Sequence, residues 1–217
     1  MTVVPDTIEI GLGPLRLKAL LGVPPDAVGL VIFAHGSGSG RLSPRNNRVA
    51  AALREAGLAT LLLDLLTPAE ERDRANVFDI PLLATRLSHA TDWSIAAPET
   101  AYLPIGYFGA STGAGAALSA AGVPRSPVKA IVSRGGRPDF AGDALAHVTA
   151  PTLLIVGSLD DHVIELNREA HDRLVAPKDL VIIDGAGHLF EEPGTLAEVE
   201  RHAARWFCYH LGGEGGR

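Results

Sequence analysis

Residues 105–121 read IGYFGASTGAGAALSAA, and the turn at their middle, Gly109-Ala110-Ser111-Thr112-Gly113, decides how the rest of the chain is read. Ile105 to Phe108 is a short apolar run suited to a buried strand, and Gly113 to Ala121 is a small-residue stretch suited to a closely packed helix. A serine on a sharp strand-to-helix turn is held in strained backbone geometry with its hydroxyl raised above the sheet. Its neighbours two positions away must then lack side chains to avoid collision. Gly109 and Gly113 meet that condition, and Ala114, Ala116 and Ala117 let the helix approach its strand. With 24 glycines among 217 residues the five-residue motif is a weak signal by itself. The strand before it and the helix after it carry the reading.

Outward from this turn, similar apolar runs bounded by Gly, Pro, Asp or Ser occur at Gly29–Ala34, Ala59–Leu65, Ala130–Ser133, Thr152–Val156 and Leu180–Ile183. They read as strands buried on both faces, hence as a parallel sheet. Helical patterns alternate with them at Asn47–Ala56, Pro81–His89, Ile164–Val175 and Leu196–Leu211. The alternation predicts an α/β fold, a mostly parallel, doubly wound sheet with helices on both faces. Thr7–Ile10 and Leu15–Leu21, joined by turn residues at Gly11–Pro14, predict an antiparallel hairpin at one edge. A single domain over residues 1–211 is expected, with Gly212–Arg217 as a flexible tail.

Composition narrows the function. Cys208 is the only cysteine, so an intrachain disulfide is impossible, and no Cys/His cluster has metal-ligand spacing. Met1 to Ile10 has neither a basic region nor an apolar run of the signal-peptide type, and no stretch has the length of a membrane span. A cytoplasmic protein without a membrane partner is expected. Formal net charge is -6 with no Lys/Arg run, which argues against nucleic-acid partners.

Ser111 needs a base, and the base needs an orienting acid. Two loops that follow strand runs supply candidates: Gly157-Ser158-Leu159-Asp160-Asp161-His162 and Asp184-Gly185-Ala186-Gly187-His188. Histidine, with an ordinary pKa near 6.5, can take the serine proton and return it to a leaving group, while a carboxylate fixes its tautomer. The order Ser111, Asp160, His188 is that of the α/β-hydrolase triad. Asp161 is the better placed of the adjacent acids to cap the next helix. Upstream, His35-Gly36-Ser37-Gly38-Ser39-Gly40 resembles the loop that supplies one oxyanion-hole amide, assigned to Ser37, with the second amide from Thr112. A dinucleotide-binding glycine loop is the competing reading of this segment. It fails because position 41 is Arg where that motif needs Gly.

Taken in order, FAHGSGSG, GASTGAGAAL, LLIVGSLDDHV and GAGHLFEEPG, from His35 to about Glu192, resemble a dienelactone hydrolase-like member of the α/β-hydrolase family. The resemblance implies a compact domain without a large cap and a site at the carboxyl edge of the sheet. It implies hydrolysis of small esters, lactones or thioesters through a covalent acyl-enzyme, with no cofactor. Dienelactone hydrolases carry a cysteine nucleophile where this chain has Ser111. The chain is closer to small serine hydrolases that also occur fused to phosphoribosyltransferase domains. An acyltransferase using the same acyl-enzyme and a noncatalytic ligand-binding domain stand as alternatives.

Substrate contacts are less determined. Phe78, Leu82 and Leu83 in the segment 77–86, and Trp93 in the segment 91–98, are candidates for one pocket wall, with a core role as the alternative. Arg134 leaves the strand run at Ala130–Ser133 on the edge where ligands of doubly wound sheets bind, so its guanidinium is a candidate for gripping a substrate carboxylate. Its structural alternative is an ion pair with Asp139 or Asp160. The assembly is expected to be a monomer or small homo-oligomer.

Overall fold

The computed structural model describes residues 3–213, so Met1, Thr2 and the last part of the expected tail, 214–217, lie outside the described residues. The chain runs through β1 (Asp6–Leu12), β2 (Leu15–Gly22), β3 (Leu30–Ala34), α1 (Pro44–Glu55), β4 (Ala59–Leu63), α2 (Arg74–Val77), α3 (Ile80–Ala96) and β5 (Ile105–Ala110). It continues with α4 (Thr112–Ala121), β6 (Val128–Arg134), a 3-10 segment (Pro138–His147), β7 (Thr152–Gly157), α5 (Asp161–Arg173), β8 (Lys178–Ile183) and α6 (Thr195–Leu211). The strands form one eight-stranded sheet in the order β1-β2-β4-β3-β5-β6-β7-β8. From β4 to β8 every pairing is parallel, while β2 runs antiparallel to β4 and β1 antiparallel to β2. The edge hairpin turns through Gly13 and Pro14 with Gly13 at φ 59°, the left-handed backbone that tight hairpin turns demand.

The central strands are apolar at successive positions because both faces are covered. Val31, Phe33, Phe108, Val132 and Ile155 face one layer, packed on Val49 and Leu53 of α1 and Val199, Ala203 and Phe207 of α6. Ile32, Tyr107, Ile131 and Leu154 face the opposite layer, with Leu83 and Leu87 of α3 and Ala116 and Ala117 of α4. The last residue of α6, Leu211, seats against Gly29, where an added Cβ would lie 2.7 Å from the Leu211 Cβ. Between β4 and β5 the chain forms only a 3-10 turn at Glu70–Arg72, α2 and α3, so no large cap covers the sheet edge. Among the described residues no helix is long and apolar enough to cross a membrane.

Helix boundaries differ from the sequence expectation for local reasons. The first helix begins at Pro44, ahead of Asn47, because the Ser43 hydroxyl accepts the Asn46 amide and Pro44 stands where no N–H is needed. The third helix runs to Ala96, past the expected end at His89, although residues 91–94 are mostly polar. Thr91 and Ser94 bond back to the Leu87 and Ala90 carbonyls at 3.0 and 2.8 Å, and Thr91 also meets the Tyr107 hydroxyl at 2.6 Å. Polar side chains satisfied in this way can be buried within a helix. Desolvation accordingly pushes the Tyr107 phenol up to about 12.

Candidate active site

At the carboxyl end of β5 the backbone reverses into α4 through Ser111, which adopts φ 50° and ψ −123°. This conformation is costly for any residue with a side chain and persists only where the surroundings over-determine it. Here the Ser111 amide donates to the Arg134 carbonyl at 3.3 Å, and the Ser111 carbonyl accepts from the Ala114 and Arg137 amides, each at 3.0 Å. The flanking glycines are required by contact. A Cβ at Gly109 would lie 2.4 Å from the Ala114 Cα, and one at Gly113 would lie 2.1 Å from the Ala34 carbonyl oxygen. The small residues of the motif thus let α4 press against both β5 and the end of β3.

Two further loops meet above the same edge. Asp160 follows β7 and His188 follows β8, and His188 Nδ1 lies 2.6 Å from Asp160 Oδ2. The loops are joined by backbone bonds from Ser158 to the Ile183 carbonyl and from Leu159 to the Ala186 carbonyl, both 2.9 Å. The Ser158 hydroxyl accepts the Gly185 amide at 2.8 Å. Phe190, buried and at φ 55°, anchors the far side of the histidine loop. Gly135 faces this loop, since a Cβ there would lie 3.0 Å from the His188 carbonyl oxygen. The expectation that Asp161 caps the following helix is corrected. Asp160 holds the N-cap position, Asp161 is the first helical residue, and no side chain caps the helix because the Asp160 carboxylate is turned to His188.

The loop after β3 passes directly over Ser111: a Cβ at Gly36 would lie 3.0 Å from the Ser111 Cβ. His35 is buried below it and accepts the Leu65 amide on Nε2 at 3.0 Å, which ties this loop to the end of β4. The Ser37 amide donates to the Thr112 hydroxyl at 3.0 Å, a contact the sequence did not announce. Thr112 opens α4, where first-turn amides lack intrahelical acceptors. Beside these groups lies a cavity of about 160 Å³, lined by Gly36, Ser37, Thr112, Leu66, Val77 and Leu83 among others. It adjoins a broader, open depression along residues 37–45. Phe78 and Leu82 do not line the cavity. Phe78 is 43% exposed, with the Arg74 guanidinium over its ring, and Leu82 packs on the core. Leu83, another of the candidates, does form the wall, together with Val77 at the end of α2.

Arg134 is 8% exposed and forms neither a hydrogen bond nor an ion pair among the described residues. The structural alternative for it is therefore overturned. Asp139 is taken in bidentate fashion by Arg137, at 2.8 and 2.7 Å, and Asp160 by His188. Burial, with the nearby charge of Arg45, lowers the Arg134 guanidinium to about 10.

The sheet order, the strained serine turn and the paired acid and histidine loops are together those of an α/β-hydrolase. No family model matches the chain. A dienelactone hydrolase of Anabaena variabilis is 53% identical with a TM-score of 0.93, over 97% of this chain and 100% of that one. Est1E of Butyrivibrio proteoclasticus superposes with a TM-score of 0.80 at 18% identity, over 94% of this chain and 98% of that one, and shares the fold. Curated Mycobacterium tuberculosis proteins, provisionally named phosphoribosyl transferases, are 57% identical over 210 residues, which is 97% of this chain. The chain spans about half the length of these relatives, 47%. This protein belongs to the dienelactone hydrolase family of α/β-hydrolases.

Proposed function

We propose that the chain is a serine hydrolase that cleaves carboxylic esters, lactones or related acyl bonds through a covalent acyl-enzyme. The observation that carries this reading is the Ser111 backbone, held at φ 50° and ψ −123° on the rim where the His188–Asp160 pair stands. In this mechanism His188 Nε2 takes the Ser111 proton as Oγ bonds to the acyl carbon, and Asp160 stabilises the imidazolium formed. The tetrahedral oxyanion receives the Thr112 amide. It also draws the Ser37 amide from the Thr112 hydroxyl, because an anionic oxygen is the stronger acceptor. Collapse expels the alcohol with the proton from His188, and water then hydrolyses the acyl-enzyme by the same path in reverse. The name of the Anabaena relative brings lactones to this chain as candidate substrates. The transferase name of the mycobacterial relatives belongs to chains about twice this length. The strained turn at Ser111 and the Asp160–His188 pair support the acyl-hydrolase reading over a transferase one. A free Cys208 thiol fits the cytoplasmic setting we propose with it.

The test is direct. Wild-type protein should hydrolyse p-nitrophenyl esters and be labelled at Ser111 by a fluorophosphonate. Folded Ser111→Ala should lose at least ~10³-fold in kcat/KM. Near-normal turnover by that variant would overturn the reading.

A further inference from the structure

The cavity beside Ser37 and Thr112 is walled by the apolar side chains of Leu66, Val77 and Leu83, and one charged residue, Glu71, belongs to its lining. His35, also in the lining, is uncharged there, since its Nε2 accepts the Leu65 amide at 3.0 Å. Glu70 and Glu71 stand side by side in the 3-10 turn Glu70–Arg72, and their roles divide. Glu70 is spent within the protein on Thr67 and Arg86, which fastens the turn. Glu71 is tied only through its amide, which donates to the Thr67 carbonyl at 3.0 Å, and among the described residues its exposed carboxylate has neither a hydrogen bond nor an ion pair. The open depression that adjoins the cavity shares Glu71 and adds Arg41, Arg45 and Asp64. Arg41 and Asp64 bond to each other, and Arg45 is held by Glu191 at 2.8 Å. Glu71 is therefore the one charge along both spaces without a partner, and Arg134 lines neither of them. A free carboxylate elsewhere on the surface would be ordinary. Where an apolar cavity opens beside the serine turn, low-dielectric walls focus its field on whatever enters.

We propose that Glu71 determines specificity and that this cavity takes a short acyl chain ending in an alkylammonium group. The assignment to the acyl portion rests on the hydrolase reading above. In that mechanism the leaving oxygen receives its proton from His188, so the leaving group lies beside the histidine loop. No residue of the Asp160 or His188 loops lines the cavity, which leaves it to the acyl portion. Leu66, Val77 and Leu83 cover the methylenes of such a chain in a space of about 160 Å³, and the Glu71 carboxylate attracts the cation at its end. A chain ending in a carboxylate meets a like charge at the same place and is repelled.

The experiment compares p-nitrophenyl 4-(trimethylammonio)butanoate with p-nitrophenyl 5,5-dimethylhexanoate, whose acyl groups share one shape and differ by nitrogen for carbon. Relative to their rates with hydroxide, wild type should favour the cationic ester in kcat/KM by about 5-fold, the scale of an exposed charge pair. Glu71→Gln should bring that preference to within about 2-fold of unity, and Glu71→Lys should reverse it. Glu71 is exposed, so both variants are expected to fold. Raising the salt from ~0.02 M to ~0.5 M should erase the wild-type preference and leave the Glu71→Gln ratio where it is. Acetylthiocholine and 3,3-dimethylbutyl thioacetate carry the same difference on the leaving side, and a shift of their ratio by Glu71→Gln would overturn the acyl assignment. Independently of turnover, Ser111→Ala protein should bind pentyltrimethylammonium, and adding Glu71→Gln should weaken that binding by about 3-fold. An ester preference or an ammonium affinity unchanged by Glu71→Gln would overturn the cation site and leave the hydrolase reading standing. No turnover of either ester and no fluorophosphonate labelling would instead overturn the hydrolase reading. The ammonium titration then decides the role of Glu71 alone.

Discussion

Asp160 directs its carboxylate to His188 Nδ1 at 2.6 Å, away from the first turn of the helix that it begins. An N-cap acid normally accepts an amide of that turn, and forgoing the cap costs roughly 1 kcal/mol of helix stability. Asp160→Asn should therefore lower kcat by about 10³-fold or more with little change in melting temperature, since the fold already does without the cap. Asp161→Asn removes an exposed charge from the first turn and should cost only about 0.3–1 kcal/mol of stability, with activity near wild type. Steady-state kinetics and thermal melts on both variants decide it. A larger activity loss at Asp161 would sink the assignment.

Thr112 joins the helix start to the Ser37 amide through its hydroxyl at 3.0 Å. Thr112→Val keeps the shape but removes the acceptor, so the loop over the cavity loses its register with α4. We expect kcat to fall about 10-fold while KM changes little, because the Ser37 amide, no longer positioned by the hydroxyl, is misplaced for the oxyanion that forms only on the way to the transition state. Thr112→Ser should stay within about 3-fold of wild type. Equal kinetics for the two variants would remove the hydroxyl from the machinery.

Glu70 fastens the segment between β4 and α2. Its carboxylate accepts from the Thr67 amide and hydroxyl at 2.8 and 3.0 Å and pairs with Arg86 of α3 at 2.7 Å. Burial alone would raise its pKa, but the Thr67 and Arg86 contacts outweigh that and hold it below the ordinary 4.5. A lowered folded-state pKa means that the stabilisation is present above the unfolded-state value and is lost as pH falls through the folded one. Glu70→Gln should destabilise the protein by about 0.5–1 kcal/mol at pH 7, solvent screening keeping the effect small. The gap between the variant and wild type should close as urea titrations are repeated at decreasing pH below 4.5. A gap that persists under acid would show that the carboxylate's charge plays no part.

What the sequence disclosed follows from how local each feature is. The runs Gly29–Ala34 and Thr152–Val156 read as strands because burial on both faces leaves little place for polar residues, and the structure buries every residue of the strands Leu30–Ala34 and Thr152–Gly157. The Ser111 turn was legible because its glycines answer a steric demand within five residues. Asp160 and His188 were reachable through their order along the chain. Thr91 and Ser94 hid the extension of α3, since a polar side chain that bonds to its own helix looks like a loop residue. Leu83 was legible as a wall residue, but that Val77 lines the cavity and Phe78 and Leu82 do not depends on the local direction of the backbone. Whether Arg134 finds an acid depends on where Asp139 and Asp160 turn, and both turn to other partners.

The seating of Leu211 against Gly29 fixes where the described chain leaves the domain. Gly29 immediately precedes β3, at the amino-terminal rim of the parallel strands, whereas Ser111 rises from the carboxyl rim of β5 beside it. The last described residues therefore lie at the pole opposite the serine. A second module attached there would hang below the sheet and leave the approach to the hydroxyl open. An affinity tag or immobilising tether at that end should likewise present the enzyme with its mouth facing outward.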